Sequence, residues 1–150
     1  MFIKKCAVAV VLIGLISPAL RAFEVQYAAL FKITDVQQVD GLPVMPLSNG
    51  KYADVRVLDK ETFDFLKTCN TVCKQPALQA GKVLPNIRPA KTRENMWIAE
   101  LEIDGKWLLV SLIFRKGKDV SVKFPPSVII LNKKWQKQVE EQLLAALEDK

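Results

Sequence analysis

A chain of 150 residues permits one domain, or a domain plus a processed leader. Half of it is hydrophobic and a quarter charged, which excludes a disordered or collagen-like polypeptide. It carries a formal charge of +6, three cysteines and no histidine, and the last feature excludes most. Without imidazole there is no Ser-His-Asp or Cys-His machinery, no HExxH zinc site and no CxxCH haem attachment.

Residues 1–22 have the layout of a secretory signal peptide. Lys4 and Lys5 form a positive start, residues 6–16 (CAVAVVLIGLI) are an unbroken apolar run, and Pro18 precedes small residues. A membrane span needs about 20 apolar residues, so this run is too short for one. Cleavage is expected after Ala22, with Ala19 as the competing position, and uncleaved leader is the only expected route to a membrane. Cys6 precedes the apolar run and so does not read as a lipid acceptor. Loss of the leader removes Lys4, Lys5 and Arg21, leaving 19 bases against 16 acids, a charge of +3. It also leaves an even pair of cysteines, Cys69 and Cys73, as an oxidising compartment would favour. The expectation is a periplasmic or secreted protein, with residues 23–150 as a single domain.

In chain order, residues 24–34 alternate, with Val25, Tyr27, Ala29, Phe31 and Ile33 on one side, which predicts a strand and, as the alternative, a helix. Residues 35–50, with Gly41, Pro43, Pro46 and Ser48-Asn49-Gly50, predict a loop. A second strand is predicted over 52–58. Asp59 then suits a helix N-cap and Glu61 the first turn, for a short helix over 60–68 that buries Phe63 and Leu66 and partly covers Phe65. Residues 69–89, with Pro76, Gly81, Pro85 and Pro89, predict irregular chain.

The carboxy-terminal third is the most regular. Residues 96–103 predict a strand with Trp97, Ala99, Leu101 and Ile103 inward, and Asp104-Gly105 is a hairpin signal because both central turn positions need positive φ. Residues 107–114 (WLLVSLIF) are apolar on both faces, which predicts a central strand covered on each side. Gly117 allows a turn into a strand over 119–124, and 127–131 suits a short further strand. Asn132 caps a helix over 133–149 whose stripe of Trp135, Val139, Leu143, Ala146 and Leu147 is expected to pack on the sheet. The fold class is α+β: an antiparallel β-meander with a C-terminal amphipathic helix packed on one face, one short helix and a disulfide-stapled loop.

Few residues offer chemistry. Cys69 and Cys73 are spaced CxxxC, not the CxxC of thioredoxin-like enzymes, and two thiols without imidazole are too few for structural zinc. A structural disulfide is expected, contributing about 2 kcal/mol for so short a loop. Glu100 and Glu102 share a strand face, as paired acid–base carboxylates would, but a solvent-facing edge kept polar against aggregation is the more ordinary account. No GxSxG elbow or glycine-rich phosphate loop occurs. No catalysis, metal or cofactor is expected.

Charge is unevenly spread. Residues 23–66 hold four bases and seven acids, residues 94–150 nine of each. Residues 67–93 hold Lys67, Lys74, Lys82, Arg88, Lys91 and Arg93 and no acid. Smaller clusters lie at Arg115, Lys116 and Lys118 and at Lys133, Lys134 and Lys137. The stretch 67–93 is expected to contact an envelope or secreted protein with an acidic surface. Nucleic acid is disfavoured, because no aromatic residue in 67–93 is available to stack on bases. The sequence thus reads as an exported accessory protein that works by binding. Its alternatives are an inhibitor presenting the stapled loop, or a thiol-disulfide protein using Cys69 and Cys73. It leaves the oligomeric state open.

Overall fold

The structure, a computed structural model, describes residues 20–48, 52–77 and 81–149. The chain is α+β, built from two antiparallel-rich sheets and two helices. Of the expected leader, residues 1–19 lie outside the described residues, while Leu20, Arg21 and Ala22 open strand β1 (Leu20–Tyr27). Cleavage after Ala19 would keep that strand whole; cleavage after Ala22 would remove its pairs to Val39, Gln38 and Gln37.

The first sheet has the order β12-β2-β1-β7, where β2 is Phe31–Val39, β7 is Val72–Gln75 and β12 is Val128–Ile130, and β3 (Leu42–Val44) adds to β2. The single strand expected over 24–34 is therefore a hairpin. Its loop, Ala28-Ala29-Leu30, has an odd number of residues, so Val25 and Tyr27 before it share a face with Phe31 and Ile33 after it. The alternation runs through the turn unbroken. Ala28 takes the left-handed conformation (φ 50°), and no turn-type residue marks the place. Ala29 is exposed rather than inward. The loop expected over 35–50 is likewise mostly extended: β2 runs on to Val39, and Asp40-Gly41, both at positive φ, turns it into β3. Pro43 is tolerated there because β3 lies at an edge. Of the expected Ser48-Asn49-Gly50 turn, Asn49 and Gly50 lie outside the described residues.

The second sheet is a four-stranded meander of β8 (Val83–Pro89), β9 (Met96–Ile103), β10 (Trp107–Lys116) and β11 (Asp119–Lys123), with β6 (Val55–Val57) also paired to β10. The meander expected from the carboxy-terminal third is thus present and begins one strand earlier. Two short strands, β4 (Leu47–Ser48) and β5 (Tyr52–Ala53), pair separately, so the strand expected over 52–58 is split at Asp54. The stretch 69–89 is not irregular: it holds β7 and β8. Pro85 and Pro89 sit in β8, an edge strand, where a missing N–H costs no ladder bond. Asp104 (φ 53°) and Gly105 (φ 69°) make the β9–β10 turn as expected, and the ladder starts at Trp107 opposite Ile103.

One core takes side chains from both sheets, among them Val25, Tyr27, Phe31 and Ile33 from the first and Leu101, Ile103, Trp107 and Leu109 from the second. Helix α1 (Lys60–Lys67) is capped by Asp59, whose carboxylate accepts from Thr62 N–H at 3.3 Å, and it buries Thr62 and Leu66, with Phe63 only half-buried. Gln75 ties three elements together in the core. Its Oε1 accepts from the Trp107 indole N–H at 3.0 Å, and its Nε2 donates to Thr62 Oγ1 at 3.0 Å. Helix α2 (Lys133–Glu148), capped by Asn132, buries Trp135, Val139, Leu143 and Leu147 and lies along β8, where Gln142 donates to the Val83 carbonyl at 2.9 Å.

Candidate functional site: a basic end of the meander

Strand pairing does to the charge map what sequence order hides. In β9 and β10, Met96 opposes Phe114, so the loop 90–95 that enters β9 lies beside the turn that leaves β10. The Arg115 N–H donates to the Asn95 carbonyl at 2.9 Å, which fixes the two segments side by side, and the Ala90 N–H donates to the Met96 carbonyl at 2.9 Å, which closes the loop on itself. Asn95 (φ 59°) and Gly117 (φ 63°) supply the reversals. Lys91 and Arg93 from the basic stretch 67–93 thereby meet Arg115, Lys116 and Lys118 from the second cluster. All five are exposed, and among the described residues none of them is in an ion pair. The acids in these two segments are Glu94 and Asp119, so this end keeps a local excess of three positive charges.

A depression of about 320 Å³ lined by residues 89–97 opens at this end, with Thr92, Asn95 and Trp97 in its wall. The Arg115 guanidinium sits 5.3 Å from the centre of the Trp97 ring, a cation–π contact that fixes a long side chain in place. Clustered cations raise the local concentration of an approaching anion, and a guanidinium offers a planar fork to carboxylate or phosphate oxygens. The chemistry available here is recognition of negative charge.

The other members of the stretch 67–93 lie elsewhere. Lys67 ends α1, pairs with Asp64 at 3.5 Å and lies 5.0 Å from the Phe63 ring centre. Lys74 is on β7 in the first sheet. Lys82 precedes β8, beside the Asp104 carboxylate, which accepts from the Gly81 and Lys82 N–H groups at 3.0 and 2.6 Å and from the Tyr27 hydroxyl. The seven residues of β8, about 20 Å of extended chain, separate Lys82 from Lys91 and Arg93. Arg88 is on β8 and is ion-paired with Glu100. That pair also occupies one of the two carboxylates considered for acid–base chemistry. The six bases are therefore not one contact surface: two of them, Lys91 and Arg93, join the basic end. The signal sequence reading lacked was the pairing of β9 with β10.

Cys69 and Cys73 form a disulfide, with Cα atoms 5.7 Å apart. It joins the end of α1 to a strand, β7, and Cys69 is 1% exposed, which withholds one sulfur from thiol exchange. Gln38 Nε2 completes this corner by donating to the carbonyls of Leu66, Lys67 and Cys69 at 3.1, 3.1 and 2.8 Å.

A buried cation lies at the opposite end of the meander. Lys106, only 8% exposed at its side chain, reaches Asp59 at 3.0 Å and Glu61 at 3.8 Å. Burial pushes the Asp59 carboxyl up, but the hydrogen bonds from Thr62 and Lys106 outweigh it and hold the group below its usual range. This is a structural clasp between the β9–β10 turn and the start of α1. Among the described residues, no three His, Cys, Asp or Glu side chains converge as metal ligands, and no helix is long and apolar enough to cross a membrane. No protein-family model, curated protein or solved structure matches this chain.

Proposed function

We propose that this chain is an exported, non-enzymatic binding protein of the cell envelope that docks an acidic protein partner on the basic end of its meander. The observation that carries the reading is that strand pairing holds the loop of Lys91 and Arg93 beside the end of β10 and its turn, which carry Arg115, Lys116 and Lys118. Loops anchored at the end of a packed sheet are where recognition residues concentrate, and a loop already ordered loses less entropy on binding. Export is supported by the leader-like residues 1–22 and is compatible with the Cys69–Cys73 bond. The test is a comparison of two glutamine variants by crosslinking in the exporting cell. Replacing Lys91, Arg93, Arg115, Lys116 and Lys118 should abolish capture of the partner, while replacing Lys67, Lys74 and Lys82 should leave it intact. Equal capture by both variants would overturn the reading.

A further inference from the structure

The two sheets differ on the sides that face away from the core. The outer face of the first has a polar centre, with Glu24, Gln26, Lys32 and Thr34 along it and an ion pair of 3.7 Å between Lys32 and Glu24, and carries the exposed Val72 and Ile129 to either side. The outer face of the meander has an apolar row along β10, flanked by polar and charged side chains that include the Arg88–Glu100 ion pair. Leu108, Val110, Leu112 and Phe114 of β10 and Met96 and Ile98 of β9 point away from the core and belong to neither the buried cluster nor the side chains packed against it. They are half-buried, held there by neighbouring strands, and Leu84 on β8, level with Glu102, is 53% exposed. The sequence predicts a strand covered on both sides over 107–114; within one chain, the described residues supply only one cover.

We infer that a second copy of this chain supplies the other, by a two-fold dimer with its axis along β10. The charges on the face select this occupant. Glu102 of β9 and Arg56 of β6 both lie level with Leu108, on opposite sides of it, and among the described residues neither is in an ion pair. Lys123 of β11 lies level with Leu112, on the same side of β10 as Arg56. A two-fold rotation about β10 lays β9 of one copy over β6 and β11 of the other. Each Glu102 then faces the partner copy's Arg56, and the apolar side chains of β10 meet their own counterparts. A lipid surface or an acidic protein would leave the carboxylate of Glu102 among apolar groups without a cation. About such an axis three strand columns overlap, about 4.8 Å apart and eight residues long, which is about 400 Å² in plan and more once side-chain relief is counted. That is below the roughly 600–800 Å² per partner of standard specific interfaces, so a weak dimer, of high-micromolar constant, is expected. The inference does not use the basic end, whose Arg115 and Lys116 close β10 beyond Phe114 and whose Lys91 and Arg93 lie in a loop and Lys118 in a turn.

The experiment is sedimentation velocity on the protein recovered from an exporting host, from about 1 to about 500 µM, a range that takes in a high-micromolar constant. The unaltered protein should pass from monomer to dimer. Val110→Lys, at a half-exposed position, should remain monomeric throughout while keeping its thermal transition. Glu102→Arg and Arg56→Glu should each weaken the dimer at least tenfold by opposing like charges, and the double variant Glu102→Arg/Arg56→Glu should restore it. A monomer at every concentration, a dimer untouched by Val110→Lys, or a double variant no better than the singles would overturn the inference.

Discussion

Gly81→Ala isolates the contact on which the helix–sheet junction depends. Gly81 has φ +76°, and a Cβ there would stand 2.5 Å from Leu30 Cδ1 and 2.7 Å from Trp135 Nε1. The Trp135 indole N–H also donates to the Gly81 carbonyl at 2.9 Å. Left-handed backbone alone costs an alanine about 1 kcal/mol. Forcing two packed side chains aside adds about 1–3 kcal/mol, and a displaced, unpaired indole N–H adds to that. Gly117 and Gly41 provide the control, at φ +63° and +77° with nothing within 4 Å of an added Cβ. Urea unfolding should therefore show Gly81→Ala destabilised by about 3–4 kcal/mol, but Gly117→Ala and Gly41→Ala by only about 1 kcal/mol. With a slope of about 1.5 kcal/mol per molar urea, the Gly81 midpoint falls by about 2 M. If all three variants unfolded within about 0.5 kcal/mol of one another, the close packing of Gly81 against Trp135 would be refuted.

Three further outcomes follow from the interior. Gln75→Leu strands the Trp107 indole N–H and the Thr62 hydroxyl in the core, and thermal unfolding should register a loss of about 2–3 kcal/mol. Replacing Cys69 and Cys73 together by serine should cost about 2 kcal/mol in denaturant unfolding and leave the far-ultraviolet circular dichroism unchanged, because the bond closes only a short loop. Asp59 and Asp64 titrate below their ordinary value of 3.8, Asp59 because the Thr62 and Lys106 hydrogen bonds outweigh burial, Asp64 because Lys60 donates to it. A carboxyl depressed in the folded state contributes stability above its unfolded pKa and loses it as pH falls through the folded one. Unfolding free energy should accordingly drop below about pH 3.8, and the drop should shrink in Lys106→Gln.

What could be read from the sequence follows the locality of its signals. β9, β10, β11 and α2 emerge from alternation, a hairpin dipeptide and a capping asparagine, all carried by residues close in sequence. The β1–β2 hairpin does not, because Ala28-Ala29-Leu30 preserves the parity of the inward residues and contains no turn chemistry. Asp40-Gly41 places an Asp-Gly pair at positive φ as Asp104-Gly105 does, in a two-residue loop rather than a three-residue one, yet Pro43 and Pro46 beside it read as loop. β8 is hidden by Pro85 and Pro89, which only its edge position makes acceptable. The basic end is a product of tertiary pairing. Residues 91–93 and 115–118 are each conspicuous, but their meeting depends on which strands pair, and no local pattern states that.

The most direct measurement of the central claim is amide chemical-shift mapping on isotope-labelled protein titrated with a glutamate-rich peptide. The account predicts shifts concentrated in residues 90–97 and 114–119, diminishing as salt screens the charges. Shifts centred instead on Lys67, Lys74 and Lys82, or spread evenly over every exposed lysine, would contradict it.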